Sequence, residues 1–502
     1  MAPTAATAYT RIGKGLRVGA LGLLGNVVIG LGATAPAYSL AATLGLVVAA
    51  VGEKAPAMFV LAFVPMLLTA VAYRELARDT PDCGTSFTWG TKAFGPWIGW
   101  MAGWGVAVSS IIVLANVGEI AAVYLLRFLH LYVVAQSFWA TTLLSSLFIV
   151  IMTLVGAWGI VVSDRLQNVL LAVQLGVLTT LSVVALVRVV AGTAGAQAVK
   201  PELGWLWPGG LSTHAISSAV ILCIFIYWGW DACLAVGEET RNADRTPGRA
   251  AVVTTLILLT TYVLVAYAVQ SFAGFGEQHI GLNNPEYPEG AVTVLGGPVG
   301  GSLGASLLLL TVSVSALSST QATLLPTARG TLSMAVYEAI PRRFAHVHPR
   351  HMTPVFGTLV MGATALVFYL LLSFISEDAL SDSIESLGLA VAFYLSITAY
   401  ACVWYFRRTL FSSVRNLVMR GCFPLLGALL MTWAFIQSAV DMSDPGHSET
   451  KFGPVGGVFV LGIGMLTLGV PLMLLCFVFG TKSFFSGRTL NADTVVKVPG
   501  PG

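Results

Sequence analysis

An uninterrupted apolar run of about twenty residues leaves a polypeptide few ways to fold, and this chain contains twelve of them. Hydrocarbon offers a backbone no hydrogen-bond partners, so such runs cross a bilayer as helices that satisfy their own peptide groups. They lie at about 18–48, 55–76, 94–126, 132–156, 165–191, 213–236, 249–274, 299–333, 353–375, 384–406, 420–441 and 455–480. The chain is 56% hydrophobic and only 10% charged, with a mean hydropathy of +0.83. A β-barrel would show short alternating segments instead. The expectation is an all-α polytopic membrane protein with twelve transmembrane helices.

Twelve passes put both termini on one side, and charge tells which. With the N-terminus inside, every Lys and Arg except Lys54, Arg127, Arg188, Lys200 and Lys451 falls on inner segments. The outer loops carry Glu286, Glu289, Glu377, Asp378, Asp441 and Asp444. Both termini are therefore expected in the cytoplasm, with the protein in the inner (plasma) membrane. Topology accounts for the net charge of +3, so no nucleic-acid partner is inferred. The N-terminal residues lack a short apolar core followed by a small-residue cleavage site, so the first run is read as a retained membrane helix. The ends, about 1–16 and 482–502, read as mobile polar tails. The six cysteines are scattered and imply neither a metal site nor a disulfide framework. His346 and His348, between Arg342–Arg343 and Arg350, and His351 directly after Arg350 read as a solvated basic face.

The most informative run is the sixth. Phe225–Ile226–Tyr227–Trp228–Gly229–Trp230–Asp231–Ala232–Cys233 leads to Glu238–Glu239–Thr240. A carboxylate at membrane depth costs roughly 2.5–3.5 kcal/mol on insertion scales, so it is held by a partner or put to use. The adjacent glycine is where a helix can open. Two readings stand: a broken helix at a substrate site, or a kinked helix whose Asp231 is bonded to a neighbour. The first run also looks interrupted. Gly25, Gly30 and Gly32 precede Ala33–Thr34–Ala35–Pro36, and Pro36 blocks helix continuation behind it. Gly30–Pro36 is expected to unwind, the alternative being close packing through small residues. Breaks in runs one and six are the sequence pointer to a transporter built from inverted repeats. Repeat one would span about 17–191, repeat two about 213–406, and helices 11–12 about 420–480, between tails 1–16 and 482–502.

Four stretches carry a family resemblance. They are Gly30–Leu31–Gly32; Pro81–Asp82–Cys83–Gly84–Thr85–Ser86–Phe87–Thr88–Trp89 with Phe94–Gly95 and Gly99–Trp100; Gly229–Trp230–Asp231 with Glu238–Glu239–Thr240, Arg241–Asn242 and Pro247; and Arg329–Gly330 with Pro341–Arg342–Arg343–Phe344 and Thr353–Pro354. In this order the chain resembles permeases of the amino acid–polyamine–organocation superfamily over about 17–480. The resemblance implies the LeuT-like fold and secondary transport of amino acids, cationic ones included, or of polyamines. It places Gly30, Leu31, Gly32, Ala33 and Thr34 on one side of the substrate, and Phe225, Tyr227, Trp228, Gly229 and Trp230 on the other.

Asp231 is the preferred contact for a substrate cation; its other reading is a cap for the second half of helix six. Glu119, the second intramembrane carboxylate, reads either as facing the cavity or a proton path, or as paired with another helix. Several proton-coupled relatives place a lysine in helix five, and the matching stretch is taken as Ala172–Val173–Gln174–Leu175, where Gln174 carries no charge. Ser315, Ser318 and Ser319 are candidates for binding sodium and equally for helix-interface contacts. No cofactor is expected; proton coupling, sodium coupling and exchange without an ion stay open. The partners expected are a small-molecule substrate and the lipid bilayer. No phosphate-binding loop for a nucleotide-driven pump is present. An exchanger, a carrier of another organic cation, a channel and a membrane-embedded enzyme are the alternatives, the last without a nucleophile–base set at depth.

Overall fold

In the computed structural model, residues 13–496 are described apart from 277, 283, 285–290, 376, 449, 453–454 and 481. Arg11, Lys497, Glu286 and Glu289, and the side chains of Glu377 and Asp378, lie outside the described residues. Each apolar run is helical. The first pass is α1 (Leu23–Thr34) with α2 (Pro36–Val51), the second α3 (Ala55–Asp79). A short helix α4 (Ser86–Phe94) precedes the third pass, α5 (Pro96–Phe128), then the fourth, α6 (Phe138–Ala157), and fifth, α7 (Ile160–Val190). The sixth pass is α8 (Thr213–Ile226) with α9 (Ala232–Ala235). The rest are α10 (Thr246–Ala273), α11 (Gly297–Val336), α12 (Val355–Ile375), α13 (Glu377–Tyr405), α14 (Phe423–Ser443) and α15 (Gly457–Phe479). Length and hydropathy alone separate eleven spans, because Leu23–Asp79 reads as one stretch of 57 residues. The turn Gly52–Lys54 divides that stretch into two passes, which makes twelve.

The packing reveals the repeat. The second pass packs on the seventh and the third on the eighth. The fifth packs on the eighth and, five places on, the tenth packs on the third. The pairs one–seven and six–two, one–five and six–ten, three–four and eight–nine match in the same way. Adding five to each of passes one to five therefore maps these pairs onto one another, as expected of two interlocked five-helix halves. The eleventh and twelfth passes lie outside this exchange.

Two sequence expectations need correction. Gly30–Pro36 does not unwind as a segment: α1 stays helical through Thr34, and Ala35 alone (φ +46°, ψ +65°) separates it from α2. Pro36 sits in the first turn of α2, where no N–H donor is needed, so one left-handed residue suffices. The carbonyls freed there are met by side chains, Ser39 Oγ donating to Thr34 O at 2.6 Å and Ser319 Oγ to Ala33 O at 2.9 Å. The described parts of the ends are not loose tails either. Lys14 and Leu16 are buried, and Phe484, Phe485 and Leu490 pack against Phe87, Trp100 and Tyr337. An aromatic pair inside a polar tail lowers its free energy by finding an apolar groove.

Candidate functional site

The two breaks meet. In the sixth pass the backbone leaves the helix after Ile226, and Gly229 takes φ +105° before α9 begins. A β-carbon on Gly229 would lie 2.8 Å from the Ala33 carbonyl carbon and 2.9 Å from the Thr34 nitrogen. Glycine is thus required twice, by its dihedral and by the approach of the first pass. Around this crossing lies a small cavity of about 50 Å³, walled by Ala33, Trp228, Gly229, Asp231 and Ala232 from the broken passes. The third pass adds Gly103 and Ser110, the eighth Thr323 and Thr327, the tenth Tyr394.

Among the described residues, Asp231 is the only carboxylate on this wall. The Tyr394 hydroxyl donates to its Oδ2 at 3.1 Å and accepts from the Trp228 indole N–H at 2.9 Å. The tenth pass thereby orients the carboxylate. Asp231 occupies the N-cap position of α9 but makes no side-chain cap bond, so its oxygens are not committed to the helix end. Among the described residues it forms no ion pair. A half-buried carboxylate without a basic partner among the described residues, facing a mostly apolar cavity, can receive a cation. Thr323, also on the wall, is buried with its hydroxyl unpartnered among the described residues. Sequence reading passed over it, because a threonine in a membrane helix usually bonds its own preceding turn.

Of the substrate residues expected, the structure brings Ala33, Trp228, Gly229 and Asp231 to the cavity. Gly30 instead faces Thr254 and the Trp230 carbonyl, and Gly32 faces Gln167 and Ser318. Leu31 is core, and Thr34 bonds the Leu31 carbonyl. Tyr227 donates to the Phe59 carbonyl and packs edge-on to Tyr262. Trp230 is fully buried edge-on to Tyr73. Phe225 lines a separate cavity with Thr43, Glu385 and Asp441.

The coupling candidates divide likewise. Glu119 is half-buried on the third pass, away from the cavity wall and within electrostatic reach of Tyr369. Gln174 is buried. Ser315 accepts the Tyr38 N–H at 3.3 Å. The residue that joins passes one, five and eight is Gln167. Its amide donates to the Ser318 carbonyl at 2.7 Å and accepts from the Ser318 hydroxyl at 2.5 Å. A β-carbon on Gly32 would lie 2.7 Å from its Oε1. Gln167 and Gln174 are two turns apart on one helix face, about 10 Å along the axis, so hydropathy could not choose between them. Gln167→Leu removes both bonds and strands the Ser318 groups; it should destabilise the protein by about 1–3 kcal/mol, read as a lower unfolding midpoint of purified protein.

On the face that carries the N-terminal segment, the cavity wall continues through Cys83, Gly84 and Thr85. Directly behind it is a buried ionic cluster. The Lys14 ammonium lies 2.6 Å from both Asp82 Oδ2 and Glu238 Oε1, with side chains at most 1% exposed. Asp82 also accepts from the Gly84 N–H and from the hydroxyls of Thr88, Ser333 and Tyr337. Burial opposes the charge on Lys14, but the facing Asp82, with Cys83, Glu238 and Tyr337, outweighs it and holds its pKa well above the usual value. Burial would raise Asp82, yet the Lys14 charge and the hydrogen bonds it receives keep it below the usual carboxylate range. Glu238 is pushed up by burial, which Lys14 only partly offsets. Alongside, the Arg329 guanidinium pairs Glu239 through two nitrogens, both side chains wholly buried. Backbone bonds from Leu21 N to Glu239 O and from Arg241 N to Leu21 O tie the N-terminal segment to the exit of the sixth pass.

A family model described as amino acid permease matches residues 17–481. An uncharacterized transporter of Mycobacterium tuberculosis is 30% identical over 346 residues, which is 68% of this chain and 72% of that protein. The low-affinity putrescine importer of Escherichia coli is 26% identical over 375 residues, 72% of this chain and 76% of the importer. The vacuolar cationic amino acid transporter 4 of Arabidopsis thaliana is 26% identical over 333 residues, 62% of this chain and 52% of that protein. Among solved structures, MhsT in complex with L-phenylalanine aligns with a TM-score of 0.55 at 16% identity, over 83% of this chain and 98% of that one. The likeness to MhsT is one of fold.

Proposed function

This chain belongs to the amino acid permease family, and from that premise we propose that it is a secondary active transporter taking up amino acids, cationic ones included, or polyamines by alternating access. As a member of that family it is a transporter and not an enzyme. The observation that carries the substrate class is Asp231, a carboxylate with no ion pair among the described residues, facing a cavity where two helix breaks cross. An ammonium group supplies the missing charge, and the hydroxyl of Thr323 offers a further polar contact. The relatives point the same way, two of them being a putrescine importer and a cationic amino acid transporter. The basic bias of the loops on the N-terminal face supports a cytoplasmic placement of both termini in the plasma membrane.

A second reading, exchange of one substrate for another without an ion, is favoured by one feature. Gln167, at the junction of passes one, five and eight, carries no proton to release. The test of both is uptake of labelled amino acids and polyamines into proteoliposomes, each with a sodium gradient, a proton gradient, or unlabelled counter-substrate inside. Saturable uptake of an ammonium-bearing compound supports the transporter reading. A requirement for internal substrate selects exchange. No uptake of any member of the panel by folded protein overturns the substrate class.

A further inference from the structure

The Lys14 ammonium occupies a site with the features of a ligand pocket for a primary amine. Two carboxylates contact it at 2.6 Å, the Cys83 sulfur lies at 3.6 Å, and the Tyr337 ring faces it with its centroid 5.5 Å away. Carboxylates plus an aromatic face are the usual surroundings of a bound ammonium. The two acids are not equally satisfied. Asp82 receives hydrogen bonds at both oxygens. Glu238 spends Oε1 on Lys14 and the Cys83 N–H, while its Oε2 is buried with no hydrogen-bond partner among the described residues. With one ammonium against two acids, the group keeps an unsatisfied acceptor at Glu238 Oε2. Asp82, Cys83 and Glu238 also bring their ligand atoms within 4.8 Å of one another, close enough to hold a single cation.

Position gives this pocket its meaning. Cys83 and Gly84 belong both to the cluster and to the wall of the cavity that holds Asp231. The pocket is therefore the next anionic station between Asp231 and the N-terminal face. Lys14 is held there by a segment whose backbone anchor to the bundle is the pairing of Leu21 with Glu239 and Arg241. We propose that Asp82, Glu238 and Tyr337 form a second ammonium site on the exit side of the cavity, that Lys14 fills it in this conformation, and that the ammonium group of a departing primary amine takes its place when the N-terminal segment withdraws. The proposal rests on the transport reading of the cavity for its direction, but the site itself is tested apart from transport. Exchange of one ammonium for another keeps a cation between the two acids while the gate opens. A withdrawal without replacement would leave two buried carboxylates facing each other, an arrangement proteins avoid.

Lys14→Ala removes the part of the side chain that propylammonium reproduces. In the purified full-length protein this variant should melt below the wild type, and propylammonium should raise its melting temperature by several degrees in a saturable way. Propanol, and tetramethylammonium at equal ionic strength, should not, and wild type should not respond to propylammonium. The double variant Lys14→Ala/Glu238→Gln should lose the response. An equal effect of propylammonium on wild type and Lys14→Ala, or none on either, overturns the site. If Lys14→Ala cannot be purified unaided, recovery of monodisperse protein with propylammonium but not propanol supports the proposal, and recovery with neither overturns it. Rescue by propylammonium in a protein that transports no amine would fault the transport reading alone. Amine transport by the wild type with an unresponsive Lys14→Ala would fault this site alone.

Discussion

Replacing Asp231 by asparagine will lower uptake of the transported amine at least about thirtyfold, since losing one member of a desolvated charge pair costs about 2 kcal/mol or more. The substitution is close to isosteric. Asparagine keeps a carbonyl oxygen for the Tyr394 hydroxyl, which now donates to Asp231 at 3.1 Å and accepts from Trp228. The cavity wall should therefore keep its shape, and the variant should fold and melt close to the wild type. What disappears is the charge, the one carboxylate on that wall among the described residues. The measurement is initial uptake rate against substrate concentration in proteoliposomes, with reconstituted protein quantified in both samples. Uptake within a few-fold of wild type would remove Asp231 from the substrate site and leave it as the bonded partner of the tenth pass.

Arg329→Met will be the most destabilising single change on the N-terminal face, by about 3–5 kcal/mol. Arg329 and Glu239 are both wholly buried and pair through two nitrogens. Removing the guanidinium leaves Glu239 charged or forces it to take up a proton, and it frees the Leu325 carbonyl that Arg329 also serves. The pair pins the eighth pass to the exit of the sixth, next to the Lys14 cluster. Replacing both residues, Arg329→Met with Glu239→Leu, should restore most of the loss, because two apolar side chains carry no desolvation cost. Unfolding midpoints of the two variants and the wild type decide this. A single variant as stable as the wild type would mean that the pair contributes no net stability.

How much of this was legible in the sequence depends on how local the cause is. The twelve passes were, since a bilayer obliges each segment to bond its own backbone, and length and hydropathy report that directly. The sixth-pass break was too, because a glycine between two tryptophans and before an aspartate has no use in an uninterrupted membrane helix. The first-pass break was over-read. Gly30 and Gly32 serve close packing, against Thr254 and against Gln167 with Ser318, and a glycine in a membrane helix signals approach as readily as unwinding. Glu238–Glu239 stood out in the sequence, but their partners did not. Lys14 lies 224 residues from Glu238 and Arg329 90 residues from Glu239, and no local pattern announces pairings at that range. Lys14 was consequently counted as a tail charge, when it pairs with the buried Asp82 and Glu238.

The central claim is that the cavity at the crossing of the two breaks selects its substrate by an ammonium group. Its most direct test is competition for uptake in wild-type proteoliposomes. A labelled transported amine is competed with unlabelled amines and with alcohols of the same length, in which a hydroxyl replaces the ammonium. The account predicts that the amines compete and that the alcohols fail at concentrations at least about thirtyfold higher, the discrimination expected for a desolvated charge pair. Equal competition by amines and alcohols would contradict it, and would show that shape and apolar contact select the substrate while Asp231 serves the structure alone.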